Sequence, residues 1–147
     1  MSSEIVSQAL SIAALIVSIL AVIYSERTGR ASIRADNCGK IFDSYLIDKI
    51  PKSRTNLRFG ADGKLRNGNE FCDVLTAMMM SALFYKYSDN PFYMRLRQKC
   101  EFIEDLISEV GNQARPSEHE QNRFWDELHG ELEHVYKMIE DKRIGRR

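Results

Sequence analysis

The sequence predicts an all-α protein: one N-terminal transmembrane helix, then a small helical cytosolic domain of about four helices. Three observations lead there. Ile5 to Tyr24 is uncharged and largely apolar. Beyond residue 40 the apolar residues recur at three- and four-residue steps, the period of a helix face. Turn pairs, Asp62-Gly63 and Asn67-Gly68, crowd into a single stretch, which leaves residues 57–66 as the place for one short β-hairpin or an irregular loop.

The first element is the apolar run. Its 20 residues rise about 30 Å as a helix, enough to cross a bilayer. A cleaved signal peptide would have basic residues in front and a small-x-small site behind; "MSSE" precedes this run and no such site closes it. Arg27, Arg30 and Arg34 follow it, so the positive-inside bias places the N-terminus outside and the C-terminal domain in the cytoplasm. Ser7, Ser11, Ala14, Ser18, Ala21 and Ser25 step by four, three, four, three and four. They share one helix face, where small residues allow close approach of a second helix. The stripe therefore predicts an oligomer seam. The organisation is 1–34 as anchor and basic exit segment, 35–147 as helical ligand-sensing domain.

Ile41, Phe42, Tyr45, Leu46 and Ile50 give the first helix of that domain, with Pro51 expected to end it or to force a turn just before it. The next covers "EFCDVLTAMMMSALFYKY", with Phe71, Val74, Leu75, Met78, Ala82 and Tyr85 on its apolar face. Met78, Met79 and Met80 read as core filler. Asn90 as cap and Pro91 in the first turn open the third helix. Its stripe is Phe92, Leu96, Cys100, Ile103, Leu106 and Val110, and Gly111 can stop it. Ser117 and Glu120 stand at capping-box spacing before the last helix, whose stripe is Phe124, Leu128, Leu132, Val135 and Ile139.

Charge is balanced overall but unevenly placed. Residues 27–66 carry ten basic and four acidic side chains, a net of +6, and residues 101–147 carry seven and twelve, a net of −5. This asymmetry suits an anionic partner on the membrane side and a solvated or mating acidic surface farther on. Cys38, Cys72 and Cys100 are odd in number and sit among apolar residues, as reduced cytosolic thiols do. No metal-ligand spacing and no cofactor motif is present.

Catalytic motifs are equally sparse, and no catalytic residue is assigned. Arg123 and His129 have the R-x5-H spacing found in small helical ribonucleases of the HEPN type, although Phe124 replaces the polar residue usual there. The stronger constellation is electrostatic. Lys52, Arg54 and Arg58 in one segment, and Tyr93, Arg95 and Arg97 in another, combine forked phosphate donors with a ring that can stack on a base. These six are the predicted ligand-binding residues.

In outline, with "IVSQALSIAALIVSILAVIY" followed by basic residues and a helical domain, the chain resembles the small membrane effectors of bacterial type III CRISPR antiviral defence. That resemblance implies a homo-oligomer, a tetramer in that group, whose cytosolic domain binds cyclic tetra-adenylate and thereby disturbs the inner membrane. It implies no long nucleic acid as partner. The expected function is thus a single-pass inner-membrane effector, not an enzyme, with a cyclic oligonucleotide and the lipid bilayer as partners. A membrane anchor with a helical protein-interaction domain is the alternative, and a membrane-tethered HEPN-like ribonuclease the third.

Overall fold

A computed structural model of the chain describes the backbone from Ser2 to Gly145 and the side chains from Ile16 to Gly145. The chain is almost entirely helical: α1 (Ser2–Asp43), a π-helical turn (Ser44–Lys49), α2 (Ile50–Asn56), β1 (Arg58–Phe59), β2 (Leu65–Arg66), α3 (Gly68–Ser81), α4 (Leu83–Ser88), α5 (Asn90–Gly111) and α6 (Glu118–Ile144). The two strands pair antiparallel, Arg58 opposite Arg66 and Phe59 opposite Leu65.

The expected transmembrane helix is overturned. Among the described residues no helix is long and apolar enough to cross a membrane. Up to residue 15 the expected span lies outside the described side chains. The described remainder, Ile16–Tyr24, is nine residues, which rise about 13 Å against a hydrocarbon core of about 30 Å. Glu26, Arg27, Arg30 and Arg34 then interrupt any longer apolar window. The single-pass inner-membrane placement and its orientation fall with the span. Of the small-residue stripe, Ser7, Ser11 and Ala14 lie outside the described side chains, while Ser18, Ala21 and Ser25 are exposed on α1.

α1 runs unbroken through the expected boundary at residue 34. From Ile16 to Arg34 every residue is exposed, and burial of the helix begins only at Ala35. Cys38 and Phe42 are fully buried. The Cys38 thiol donates to the Ile139 carbonyl at 3.7 Å, and the Phe42 ring lies 5.9 Å from Tyr85, stacked, and 6.2 Å from Phe92, edge-on. The end of α1 is therefore wedged between α4, α5 and α6.

Of the two expectations for Pro51, a helix end and a turn just before it, the first fails, because the chain passes through Pro51 as helix. The preceding turn widens to π geometry, with the Ile50 N–H donating to the Tyr45 carbonyl five residues back. The next donor in that pattern would be the N–H of residue 51, which proline lacks. Its acceptor would be the Leu46 carbonyl, and the Tyr136 hydroxyl donates to that oxygen at 2.6 Å. A side chain from α6 thus replaces the missing backbone donor, which is how a π turn and a proline coexist inside one helical path.

α5 and α6 form the centre of the core, with the predicted stripes on both helices buried throughout. The predicted capping box is present: the Ser117 hydroxyl accepts from the Glu120 N–H at 3.3 Å, and the Glu120 carboxylate accepts from the Ser117 N–H at 2.7 Å. The predicted helix over residues 70–87 is instead two, broken at Ala82, whose ψ of 0° leaves the helical range. Met78 is buried, Met79 half-buried and Met80 exposed.

Removing the hydroxyl that serves Leu46 should destabilise the fold. Tyr136→Phe keeps the ring and leaves a half-buried carbonyl unpaired, at a cost of about 1–3 kcal/mol. Chemical denaturation of the variant beside the native chain measures it; equal midpoints would show that water substitutes freely.

Candidate functional site

The break at Ala82 and the short α4 bring the chain to Asp89, whose backbone (φ −151°, ψ 74°) leaves the helical range. From there α5 starts in a new direction, with Pro91 in its first turn. Asp89, one residue before the expected cap Asn90, is the true cap: its Oδ1 accepts from the Phe92 N–H at 3.2 Å. Its Oδ2 accepts from Lys142 Nζ, in the last turn of α6. The Lys142 ammonium also lies over the rings of Tyr85 and Phe92, 5.3 and 5.5 Å from their centroids. A cation flanked by two aromatic faces and a carboxylate is well held, and its side chain is only 19% exposed.

This ion pair divides a cleft into two lobes that share Arg34, Asp89 and Lys142. The smaller lobe, about 350 Å³, is walled by Arg30, Ile33 and Asn37 of α1 and by Phe84, Tyr85 and Ser88 of α4. The larger, about 730 Å³, is walled by Pro91, Phe92 and Arg95 of α5 and by Met138, Asp141 and Gly145 at the end of α6. Both volumes fall in the range of small-molecule sites. Four cations (Arg30, Arg34, Arg95, Lys142) and two carboxylates (Asp89, Asp141) line the lobes. Arg30 leans toward Glu26 at 3.6 Å. Arg95 donates to the Pro91 carbonyl at 3.4 Å, and among the described residues neither Arg34 nor Arg95 forms a salt bridge with a carboxylate.

Arg34 reaches the C-terminal end of α6. A Cβ on Gly145 would stand 2.6 Å from an Arg34 guanidinium nitrogen, and Gly145 closes the helix at φ +76°. The left-handed backbone is what favours glycine there, since the arginine tip is the far end of a flexible side chain that can shift. Phe84 contributes an exposed ring, 5.4 Å from Tyr85 and roughly perpendicular to it.

The electrostatics follow from these contacts. The hydrogen bond from Lys142 lowers the Asp89 pKa below its ordinary value; burial opposes this, and the Phe92 N–H, the Lys142 charge and Arg95 reinforce it. Burial raises the Tyr85 hydroxyl well above its usual range, with Cys38 and Asp89 adding to the effect. All three cysteines are free. Burial raises the Cys38 thiol and pushes Cys72 to about 11 and Cys100 to about 12, so none is set up as a thiolate near neutral pH. Among the described residues no group of three or more His, Cys, Asp and Glu side chains could hold a metal ion.

The six predicted ligand residues are not gathered at one place. Lys52 is exposed on α2 and Arg58 on β1. The Arg54 guanidinium lies 4.1 Å from the centre of the Trp125 ring, and burial lowers its pKa. Tyr93 is buried in the core. Arg97 donates to Glu101 at 2.6 Å, and Arg95 alone of the six lines the cleft. Trp125 and Lys142 mark the two ends, 17 residues apart on α6, or about 25 Å. The HEPN-like pair is equally separate. Arg123 is tied to Glu127 at 2.7 Å, and six residues turn His129 roughly 120° away around the same helix.

Sequence reasoning missed Arg34, Phe84, Tyr85, Asp89 and Lys142 as a group. In the sequence Arg34 belongs with the basic residues that follow the apolar run, and Lys142 lies 108 positions from it. The one local signal was "SDNP", where an aspartate two residues before a proline marks a capped helix start.

No protein-family model, curated protein or solved structure matches the chain. The functional reading therefore stands on the cleft itself.

The Asp89 contacts set an acid response. A carboxyl with a lowered folded-state pKa adds stability that is complete above its ordinary value of 3.8 and is lost as pH falls through the folded value. Asp89→Asn keeps a capping oxygen but cannot ionise. The native chain should exceed the variant in thermal stability at pH 7, and the gap should shrink below about pH 4. A gap that stays constant from pH 7 to pH 2 would remove the ion pair as its cause.

Proposed function

We propose that this chain binds a phosphate-bearing nucleotide in the cleft between α1, α4–α5 and α6, and that the bound ligand fixes α1 against the helical domain. The observation that carries this reading is the convergence of Arg34, Arg95 and Lys142, from three different helices, beside the exposed ring of Phe84. Arginine forks match phosphate oxygens, and an aromatic ring offers a face to a base. In this reading the larger lobe takes the phosphate, where Arg95, Arg34 and Lys142 surround it. The smaller lobe takes the base, between Ile33 and Phe84.

The ligand class is a cyclic oligoadenylate, in keeping with the resemblance in outline to the type III CRISPR effectors. Such a ligand repeats one phosphate and one base around a ring, so equivalent clefts of several copies can each hold one repeat. Because Arg30 and Arg34 belong to α1 and the other cations to α5 and α6, occupancy adds a tie between elements already joined by core packing and the Asp43–Arg143 pair. A ligand shifts such an arrangement only by binding one state more tightly than another. Six cations away from the cleft, Lys52, Arg54, Arg58, Lys64, Arg66 and Arg115, have no part in this reading.

Calorimetric titration of the intact chain with cyclic tetra-adenylate is the test. Binding at micromolar ligand is expected, with Arg34→Ala and Arg95→Ala each weakening it about tenfold or more, the scale of a lost charged hydrogen bond. Lys52→Ala and Arg58→Ala should leave it unchanged. No binding at micromolar ligand, or a loss confined to the second pair, contradicts the reading.

A further inference from the structure

The cleft is divided by a contact that a ligand must disturb. Lys142 is the most enclosed of the cations around it, and its ammonium is already occupied by Asp89. A phosphate entering the larger lobe meets that carboxylate as a rival for the same donor. We infer that Asp89 is a built-in competitor of the ligand in this cleft: it holds Lys142 while the lobes are empty, and an anionic group gains that lysine only by displacing it. This rests on the reading of the cleft as a phosphate site.

Three features argue for competition instead of simple support. First, Asp89 Oδ1 is committed to the Phe92 N–H at 3.2 Å as the cap of α5, so the carboxylate cannot swing away as a whole. It stays as a negative charge beside any incoming anion. Second, Lys142 has an alternative to Asp89, because the faces of Tyr85 and Phe92 hold its charge from the other side. It can turn toward a phosphate without being stranded. Third, Arg34 borders both lobes and forms no salt bridge with a carboxylate among the described residues. It offers the entering phosphate a first contact before Lys142 is released.

The consequence runs against ordinary expectation for a residue in a binding cleft. Removing Asp89 should tighten anion binding while weakening the fold. A weakly charged anion would gain too little from Lys142 to displace the carboxylate, whereas a phosphodiester flanked by a second phosphate recruits Arg34 and Arg95 at the same time. Discrimination by a built-in repulsive group is a general route to specificity. A residue with a merely structural role would lower stability and affinity together.

The intact native chain and the variants Asp89→Asn, Asp89→Ser and Asp105→Asn are titrated with cyclic tetra-adenylate and with inorganic pyrophosphate. Asparagine and serine both keep a capping oxygen, so either variant serves if the other folds poorly. Asp105→Asn removes the same charge from an exposed position on α5 about 15 Å farther along the helix from Arg95. Both Asp89 variants should bind each probe about tenfold more tightly than the native chain, as expected for removing a like charge at close range. Asp105→Asn should not change affinity. Native binding that is unchanged or weakened in both Asp89 variants overturns the inference and leaves the phosphate site standing. Equal tightening by Asp105→Asn also overturns it, since the effect is then net charge. Failure of every form to bind either probe removes the site itself.

Discussion

The seating of one aromatic ring organises this molecule. Phe42 is fully buried, stacked on Tyr85 and edge-on to Phe92, so it joins the end of α1 to α4 and to the start of α5. Cys38, one turn earlier, meets α6 at Ile139, and Arg143 pairs with Asp43 at the end of α1. Between them these contacts fix the height and rotation of α1. Only because Phe42 is seated does Arg34, two turns back along the same helix, reach Gly145 and the cleft. The same two rings that receive Phe42 also flank Lys142. Core packing and site geometry thus share Tyr85 and Phe92, and a change in one propagates to the other without any mobile loop.

The second constraint lies just beyond. After Phe42 the chain must leave the direction of α1, and it does so through a π turn and a proline rather than through a loop. The cost of that route is a carbonyl with no backbone donor, and Tyr136 covers it. Tyr45 is tied in parallel, its hydroxyl donating to the Ala77 carbonyl at 3.1 Å and lying 2.8 Å from the Ser81 hydroxyl. Long-range tyrosine bonds from both sides hold a segment whose own backbone pattern is locally unfavourable.

Much of the fold was legible in the residues. The stripes of α5 and α6 have an unambiguous helical period, and Ser117 with Glu120 announces a helix start by chemistry that needs no tertiary partner. Asp62-Gly63 placed the turn of the hairpin, where Gly63 takes φ +77°. What failed to read locally was what packing decides. No residue between Met79 and Leu83 breaks a helix by propensity, yet the chain breaks at Ala82. Pro51 looks like a stop because the donor that tolerates it, Tyr136, is 85 residues away. Ile5–Tyr24 read as a membrane span from length and charge, whereas the described part of that helix is too short and too soon charged to be one. The site was the least legible feature. Five basic residues and a tyrosine in two short segments suggest a surface, but density along the chain is not convergence in space. Arg34, Asp89 and Lys142 are each unremarkable in their own segments and acquire meaning only where three helices meet.

The central claim is that an anionic ligand sits at that meeting point and joins α1 to the helical domain. Amide hydrogen exchange of the intact chain, with and without cyclic tetra-adenylate, tests it most directly because it locates the ligand without altering a residue. The account predicts slowed exchange in three separate stretches: the end of α1 around Arg34, the α4–α5 junction around Asp89, and the last turn of α6. Binding accompanied by protection of α2 and the hairpin, with those three stretches unchanged, would contradict it.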